Sequence, residues 1–201
     1  MTNQLETNYQ QELVIHTGIE RAVTRIHPFS AAEVELVIQA TKSRTVKKHE
    51  VVLAKGQVCN FIIIIISGSF RLFHETDEKQ HTLNFFSEYD FAADHESFVS
   101  QKPSLNTIEA LEDAVISIIS IYQLHALIGR NQAFFAIGRV MKNWTKATAL
   151  NNDFATPQER FEKLMELHPE WVLRFPQKYL ASYLGMAAET FSRMKRKSLF
   201  S

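Results

Sequence analysis

The segment 176–197 carries the pattern that most restricts how this chain can fold. It places a small residue, Ala181, four positions before Gly185, with apolar residues on both sides. In a helix-turn-helix, a small residue lets the two helices cross closely, and a residue that tolerates positive φ forms the turn. The apolar positions available for a shared core are Leu180, Leu184, Met186, Phe191 and Met194. The pattern therefore predicts a helix-turn-helix from about Gln177 to Lys197.

Charge is concentrated in the same part of the chain. The 22 basic and 22 acidic residues cancel overall, but residues 1–156 carry 14 basic and 17 acidic residues. From Arg174 onward there are six basic residues and one acidic residue, Glu189. A positive field confined to one element is typical of a DNA-binding segment. We therefore expect double-stranded DNA to be the partner of this end of the chain.

The second helix of the predicted pair turns a polar face outward. Recognition helices contact base edges with such residues, and arginine pairs well with guanine. We expect Arg193 to contact a base, while Glu189 and Thr190 contact neighbouring bases or orient the Arg193 side chain. Phosphate contacts, which position without specifying, are expected from Gln177, Lys178, Tyr179, Ser182, Lys195 and Lys197. The expected DNA-binding set is Gln177, Lys178, Tyr179, Ala188, Glu189, Thr190, Ser192, Arg193, Arg196 and Lys197. The alternative is an ordinary helical hairpin with a solvated basic tail.

Short β-rich segments dominate the chain between residues 45 and 120. Turn residues separate them, and strands at this spacing predict a sandwich or barrel. Gly56 and Gly68 fall between segments, where positive φ is expected. Before them, Ser30 and Glu33 form a capping box that predicts a helix ending near Ser43. The predicted strands are Val51–Leu53, Phe61–Ile66, Phe70–His74, Thr82–Phe86, Thr107–Leu111 and Ala114–Ser120.

Helical periodicity returns from Ile121 to about Phe154, with a break expected at Gly129. Large residues recur at three and four positions, close to a heptad spacing. This stripe predicts a dimer helix, and the alternative is a single helix packed on its own barrel. The residues of the stripe are Phe134, Ile137, Met141, Trp144 and Thr148. Thr156-Pro157 then predicts a hinge and a new helix start.

Composition argues against several other classes of protein. The one cysteine, Cys59, excludes an internal disulfide and a cysteine-ligated zinc or iron–sulfur site, and fits a reducing, cytoplasmic compartment. The most apolar run, Phe61–Ile66, is far shorter than the ~20 residues of a spanning helix, and the N-terminus lacks a signal-peptide pattern. His74, His81 and His95 do not form a metal-binding motif. We therefore expect no enzyme activity, no metal, no cofactor and no membrane partner.

From about Phe29 to Lys197 the chain resembles Crp/Fnr-type regulators. The stretches Lys55–Gln57, Phe61–Ile64 and Ser67–Leu72 are similar to the paired-glycine part of their β-roll, and Glu109–Asp113 resembles the strand after its ligand cassette. Phe175–Gly185 is very like the helix-turn-helix of the branch common in Bacteroidetes, and Glu189, Thr190 and Arg193 match the family's recognition helix. The resemblance implies a homodimer, a small-molecule effector and RNA polymerase as a further partner.

The ligand cassette departs from the pattern of nucleotide-binding members. Their Gly-Glu pair, which holds the ribose, is Ala93-Asp94 here, and their Arg-Ser/Thr pair, which clamps the phosphate, is Ser104-Leu105. Serine cannot supply the bidentate guanidinium fork that a cyclic phosphate needs. We therefore expect an effector other than cyclic AMP, of unknown identity. The expected pocket residues are Asp94, Glu96, Ser97, Ser104 and Asn106.

The predicted architecture is α+β, in four parts. An N-terminal segment (1–28) precedes a double-stranded β-helix, or jelly roll (29–129), then a long dimerisation helix and hinge (130–156). A small winged-helix-like domain (157–201) follows, with a truncated wing because the sequence ends soon after Lys197. The expected function is a homodimeric, sequence-specific DNA-binding transcription regulator. The alternatives are a ligand- or protein-binding β-roll with a vestigial helix-turn-helix, and a metal-dependent enzyme on the roll.

Overall fold

The computed structural model describes residues 2–140 and 156–199, with side chains from residue 9 to residue 198. Two helices, α1 (Thr2–Thr24) and α2 (Ala31–Ala40), come first. The strands are β1 (Lys42–Val46), β2 (Val51–Leu53), β3 (Phe61–Ser67), β4 (Phe70–Glu75), β5 (Gln80–Phe86), β6 (Phe91–Ala92), β7 (Asn106–Ala110) and β8 (Ala114–Ser120). Helix α3 (His95–Ser100) lies between β6 and β7. After β8 come α4 (Ile121–Arg130), a 3₁₀ helix (Gln132–Arg139), α5 (Pro157–Leu167), α6 (Trp171–Arg174), α7 (Gln177–Tyr183) and α8 (Ala188–Leu199).

The strands form two four-stranded antiparallel sheets among the described residues. Their orders are β1-β8-β3-β6 and β2-β7-β4-β5. One hydrophobic core combines residues of both sheets with residues of the helices packed against them, and β3 contributes to it a continuous run of buried isoleucines from Ile62 to Ile66. The sequence-based prediction of an α+β chain with a jelly roll and C-terminal helices is therefore confirmed.

Helix α1 occupies most of the N-terminal segment (1–28), for which the sequence predicted no secondary structure. Ile19 is fully buried, whereas Leu13 and Val14 are exposed. The helix lies against β3. The contact is close because Gly18 has no side chain: a Cβ there would lie 2.7 Å from Ile66 Cγ2. Any larger residue at this position would push the helix off the sheet.

Most predicted strand positions are confirmed, and two strands were missed. Strand β1 was missed because four of its five residues are exposed, which removes the apolar alternation that marks a strand. Strand β6 has only two residues. The capping box of Ser30 and Glu33 is present, although helix α2 ends at Ala40 and not near Ser43.

The helical region after β8 differs from the sequence-based prediction. Gly129 lies inside α4, and the break comes at Asn131, whose side chain caps the 3₁₀ helix. Phe134 and Ile137 are buried in the chain's own core, with Phe134 stacked on Phe29 at 5.6 Å between ring centroids. These two residues of the proposed dimer stripe are used within one chain. Met141, Trp144 and Thr148 lie outside the described residues.

The turn between β3 and β4 depends on Gly68. Its φ is +92°, in the region that only glycine adopts easily. An added Cβ would lie 2.6 Å from the Cβ of Ala114, so space is as restrictive as conformation. Gly56 also has positive φ, as the sequence predicted.

Cys59 is enclosed by the roll. Its side chain is fully buried, and burial raises the pKa of its thiol to about 11. The thiolate is the reactive form, and at pH 8 a group with that pKa is ionised to roughly one part in a thousand. We expect native protein to react with iodoacetamide at pH 8 at least ~100-fold more slowly than protein unfolded in guanidinium chloride. Equal rates would show that the thiol is accessible in the folded chain.

Two features are absent from the described part of the chain. No helix there has both the length and the apolar composition needed to cross a bilayer. In the same residues, three or more histidine, cysteine, aspartate or glutamate side chains nowhere group in a way that could hold a metal ion.

The second sheet places different side chains on its two faces. Side chains alternate along a strand, so Arg71, Phe73 and Phe85 lie on the outer face while Leu72 and Phe86 lie on the inner face. A register shift occurs between Leu72 and Phe73, where β4 pairs with β5. The outer face packs against the C-terminal helices, and the inner face borders an open cleft.

Candidate functional site

Helices α7 and α8 form the predicted helix-turn-helix. Gly185 adopts φ +61° at the turn, and the Met186 amide donates to the Ala181 carbonyl oxygen at 3.0 Å. Ala181 is buried, so the two helices can approach closely. Leu180, Leu184 and Phe191 are fully buried, and the two methionines pack half-buried beside them. Helix α5 supports the pair from behind, where Phe161 meets Phe191 edge to face at 5.5 Å.

Six of the ten predicted DNA-binding residues surround one shallow cleft of about 570 Å³, namely Gln177, Ala188, Glu189, Ser192, Arg193 and Arg196. Arg193 and Arg196 are exposed, so both guanidinium groups are available to an external partner. The cleft is formed by the start of α7 and one face of α8. Lys178 and Lys197 are also exposed, while Thr190 and Tyr179 are half-buried.

Tyr179 is held by the β-roll. The guanidinium carbon of Arg71 lies 3.9 Å from the centroid of the Tyr179 ring and 4.0 Å from that of Phe73, so Arg71 is stacked between two aromatic rings. Such a stack is favourable for a guanidinium group. Tyr179 was predicted to contact a DNA phosphate, but in this conformation its ring faces the roll.

Ser182 closes the free edge of the second sheet. Strand β5 ends that sheet, so some of its backbone groups have no neighbouring strand. The Ser182 hydroxyl accepts from the Thr82 amide at 3.0 Å and donates to the Gln80 carbonyl oxygen at 2.9 Å. Lys195 is also occupied, since its ammonium group donates to the Val172 carbonyl oxygen at 3.0 Å. Two further predicted phosphate contacts are therefore engaged within the chain.

Phe85, an aromatic residue of the roll, is part of the C-terminal core. Phe85 stacks on Phe175 at 4.3 Å and meets Trp171 and Tyr183 edge to face at 5.2 and 5.8 Å. At the rim, Arg174 donates to carboxylates of Glu88 and Glu112 at 2.8 and 2.6 Å. The hydrophobic core of the C-terminal helices thus includes residues of the roll, and these helices are not packed as an independent unit.

On the inner side of the second sheet lies an open cleft of about 520 Å³. It is bounded by strands β4 and β5 and by the loop and helix that follow β6. Its lining residues are Leu72, His74, His81, Leu83, Asn84, Phe86, Ala93, Asp94, His95, Glu96, Leu105 and Asn106. Its polar groups include carboxylates, amides and imidazoles, and no lysine or arginine is among these described lining residues.

Asp94 is the most enclosed charged residue of the cleft, at 3% exposure. One carboxylate oxygen, Oδ2, accepts from the Ser104 hydroxyl at 2.5 Å and from the Asn106 side-chain amide at 3.1 Å. Ser104 is itself buried, so it orients Asp94 and does not line the cleft. Three of the five predicted pocket residues, Asp94, Glu96 and Asn106, line the cleft directly.

Ser97 is placed differently from the prediction. Its buried hydroxyl accepts from the Cys59 amide at 2.9 Å and donates to the Lys102 carbonyl oxygen at 2.6 Å. Both hydrogen-bonding roles are therefore satisfied inside the roll, and Ser97 is not part of the cleft wall. Its two hydrogen bonds hold α3 against the segment that contains Cys59.

Sequence reasoning missed the strand residues of the cleft. His74, His81 and Asn84 line it from β4 and β5. A cross-strand pairing of His74 with His81 places both histidines at the same level of the sheet. The sequence did contain a signal for them. Side chains alternate between the two faces of a strand, so once Thr82 is known to lie on the outer face, its neighbour His81 is expected on the face that borders the cleft.

Residues 43–131 match the family model of the cyclic nucleotide-binding domain. No curated protein matches the sequence. Solved structures with the same fold include FixK2 from Bradyrhizobium japonicum, with a TM-score of 0.67 at 16% identity, covering 78% of this chain and 83% of that one. The c-di-GMP responsive global regulator CLP of Xanthomonas campestris gives a TM-score of 0.65 at 16% identity, with 85% and 92% covered. A protein of Eubacterium rectale described as a transcriptional regulator of the Crp/Fnr family gives 0.60 at 18% identity, with 85% and 83% covered.

Proposed function

We propose that this protein is a homodimeric, sequence-specific DNA-binding transcription regulator, because residues 43–131 match the family model of the cyclic nucleotide-binding domain and the described chain shares its fold with a solved structure described as a Crp/Fnr-family regulator. Its β-roll is the sensor domain, and the effector is a small molecule other than cyclic AMP. The observation that carries the proposal is the exposed face of α8, where Arg193 and Arg196 line a cleft with Glu189 and Ser192.

The charge and geometry of α8 suit a recognition helix. Its first turn carries Glu189 and its last turn carries Arg196 and Lys197, so basic side chains follow the exposed face toward the end of the helix. Arginine donates two hydrogen bonds to guanine in the major groove, and the flanking lysines suit phosphates. Arg193 is central in this face and forms no ion pair with a described residue.

The absence of lysine and arginine from the described lining of the cleft supports an effector other than cyclic AMP. A cyclic phosphate carries a negative charge that binding sites commonly meet with arginine. Arg71 is the nearest arginine along these strands, but it lies on the outer face, where its side chain is bonded to Glu109 at 2.7 Å. Cyclic AMP would instead face the carboxylates of Asp94 and Glu96.

Selection from a randomised DNA pool tests the regulator proposal. We expect wild-type protein to enrich a palindrome whose half-sites lie one helical turn apart, about 10–10.5 base pairs. Arg193→Ala should lose roughly 1–3 kcal/mol at one base pair of each half-site, or about 5- to 150-fold in affinity per half-site, and relax specificity there. Arg130→Ala, at an exposed position ending α4, is the matched control and should leave the selected sequence unchanged.

The opposite outcome favours a second function. If neither wild type nor wild type with candidate effectors enriches a sequence, the helix-turn-helix is vestigial and the roll acts as a ligand- or protein-binding module. Tyr179 and Ser182 favour this alternative, since both are engaged by the roll in the described conformation. An equal selection by wild type and Arg193→Ala would instead remove α8 from base recognition.

A further inference from the structure

The cleft of the β-roll contains a buried carboxylate with an unused acceptor. Asp94 is 3% exposed, and both donors described above bind Oδ2. No residue in the described part of the chain donates to Oδ1 or forms an ion pair with Asp94, and Oδ1 is not one of the enclosed side-chain atoms that lack a partner, so it is open to the cleft. In a site that is largely closed to water, a cationic donor is the strongest partner for a free carboxylate oxygen. A side chain held in this state points to a cationic partner that comes from outside the chain.

The remainder of the lining defines what such a partner carries. Leu72, Leu83 and Phe86 give the cleft an apolar wall that suits a hydrocarbon or aromatic body. Asn84 is 9% exposed, and its side-chain oxygen accepts from the Phe85 amide at 2.9 Å. Its side-chain NH₂ has no acceptor among the described residues and therefore offers a donor to a ligand oxygen.

From this arrangement we infer that the cleft binds a small organic cation, with a protonated amine on Asp94 and an apolar body against the leucine and phenylalanine wall. Glu96 adds a second negative charge at the exposed rim. The inference rests on the proposed sensor role of the roll and names the chemical class of its effector. It reverses the charge expected for a cyclic nucleotide.

Three probes of similar size that share a phenyl ring and differ in charge test the inference on the full chain without DNA. These are 2-phenylethylamine, 2-phenylethanol and phenylacetate, with cyclic AMP as a fourth. We expect titration by protein-observed NMR to give 2-phenylethylamine a Kd at least ~10-fold below that of 2-phenylethanol, and phenylacetate the weakest binding of the three. Equal binding of amine and alcohol, no binding of the amine, or tighter binding of cyclic AMP would overturn the inference.

A pair of variants assigns the preference to its residue. Asp94→Asn should abolish the preference for the amine while leaving 2-phenylethanol binding within about 2-fold. Asp113→Asn removes a carboxylate outside the cleft lining and should leave the preference intact. If Asp94→Asn still prefers the amine, Asp94 is not the residue that binds it. If Asp94→Asn does not fold, the probe series on wild-type protein decides the inference. Since no DNA is present, amine binding and DNA selection can fail independently.

Discussion

Phe85→Ala is expected to lower the free energy of unfolding by about 3–5 kcal/mol, the usual cost of removing a buried phenylalanine. The larger consequence concerns cooperativity. Phe85 is 3% exposed and contacts three aromatic rings of the C-terminal helices. Without it, the outer face of the second sheet loses a large aromatic side chain that packs into the C-terminal core. The C-terminal helices should then unfold before the roll.

Two optical signals measure this separation during urea unfolding. The chain has two tryptophans, so a Trp144→Phe background leaves Trp171 to report on the C-terminal core, while circular dichroism follows the whole chain. We expect coincident transitions with Phe85 present and separate transitions in Phe85→Ala. Phe135→Ala, at a position that is 63% exposed, is the control and should change stability by no more than about 0.5 kcal/mol. Coincident transitions in Phe85→Ala would contradict the shared core.

Glu109→Ala is expected to have an effect of similar size through a different cause. Arg71 is 3% exposed, and its Nε and Nη2 atoms lie 3.2 and 2.7 Å from Glu109 Oε2. Breaking a buried ion pair leaves a charge without its counterion, which costs about 3–5 kcal/mol. The melting temperature should fall by roughly 10 °C for a chain of this size.

A double variant separates the free-energy cost of leaving Arg71 without its counterion from the cost of losing side-chain packing. Arg71→Met combined with Glu109→Leu removes both charges and fills the space with apolar atoms, so it should be more stable than Glu109→Ala. Thermal unfolding of the two proteins at pH 7 makes the comparison. If the double variant is less stable than Glu109→Ala, Arg71 stabilises the fold through its stacking with Tyr179 and Phe73 and not through charge compensation with Glu109.

The parts of the fold that the sequence predicted are those set by local chemistry. Gly185 and Ala181 sit four residues apart, and a turn followed by a close helix crossing requires such residues at those places. The same holds for Gly68 at a tight turn and for Ser30 with Glu33 at a helix start. Each of these signals lies within a few residues, so one sequence is enough to show it.

The missed parts depend on contacts between distant segments. Tyr179 is a residue type that often contacts phosphates, and nothing near it in the sequence shows that Arg71 will stack on its ring. Ser182 meets the edge of β5, about one hundred residues earlier in the chain. Phe134 and Ile137 have the spacing of a dimer stripe, yet Phe29 and the roll cover them within one chain. Periodicity identifies an apolar face without identifying what covers it.

Strands β4 and β5 face the cleft on one side and the helix-turn-helix on the other. His81 lines the cleft, while the adjacent Thr82 donates its amide to Ser182. If occupancy of the cleft changes the hold of β5 on Ser182 and so the affinity for DNA, thermodynamic linkage fixes the reverse effect. DNA must then change the affinity for the cleft ligand by the same factor. The concentration of effector that half-saturates this protein would accordingly depend on how much operator DNA is present.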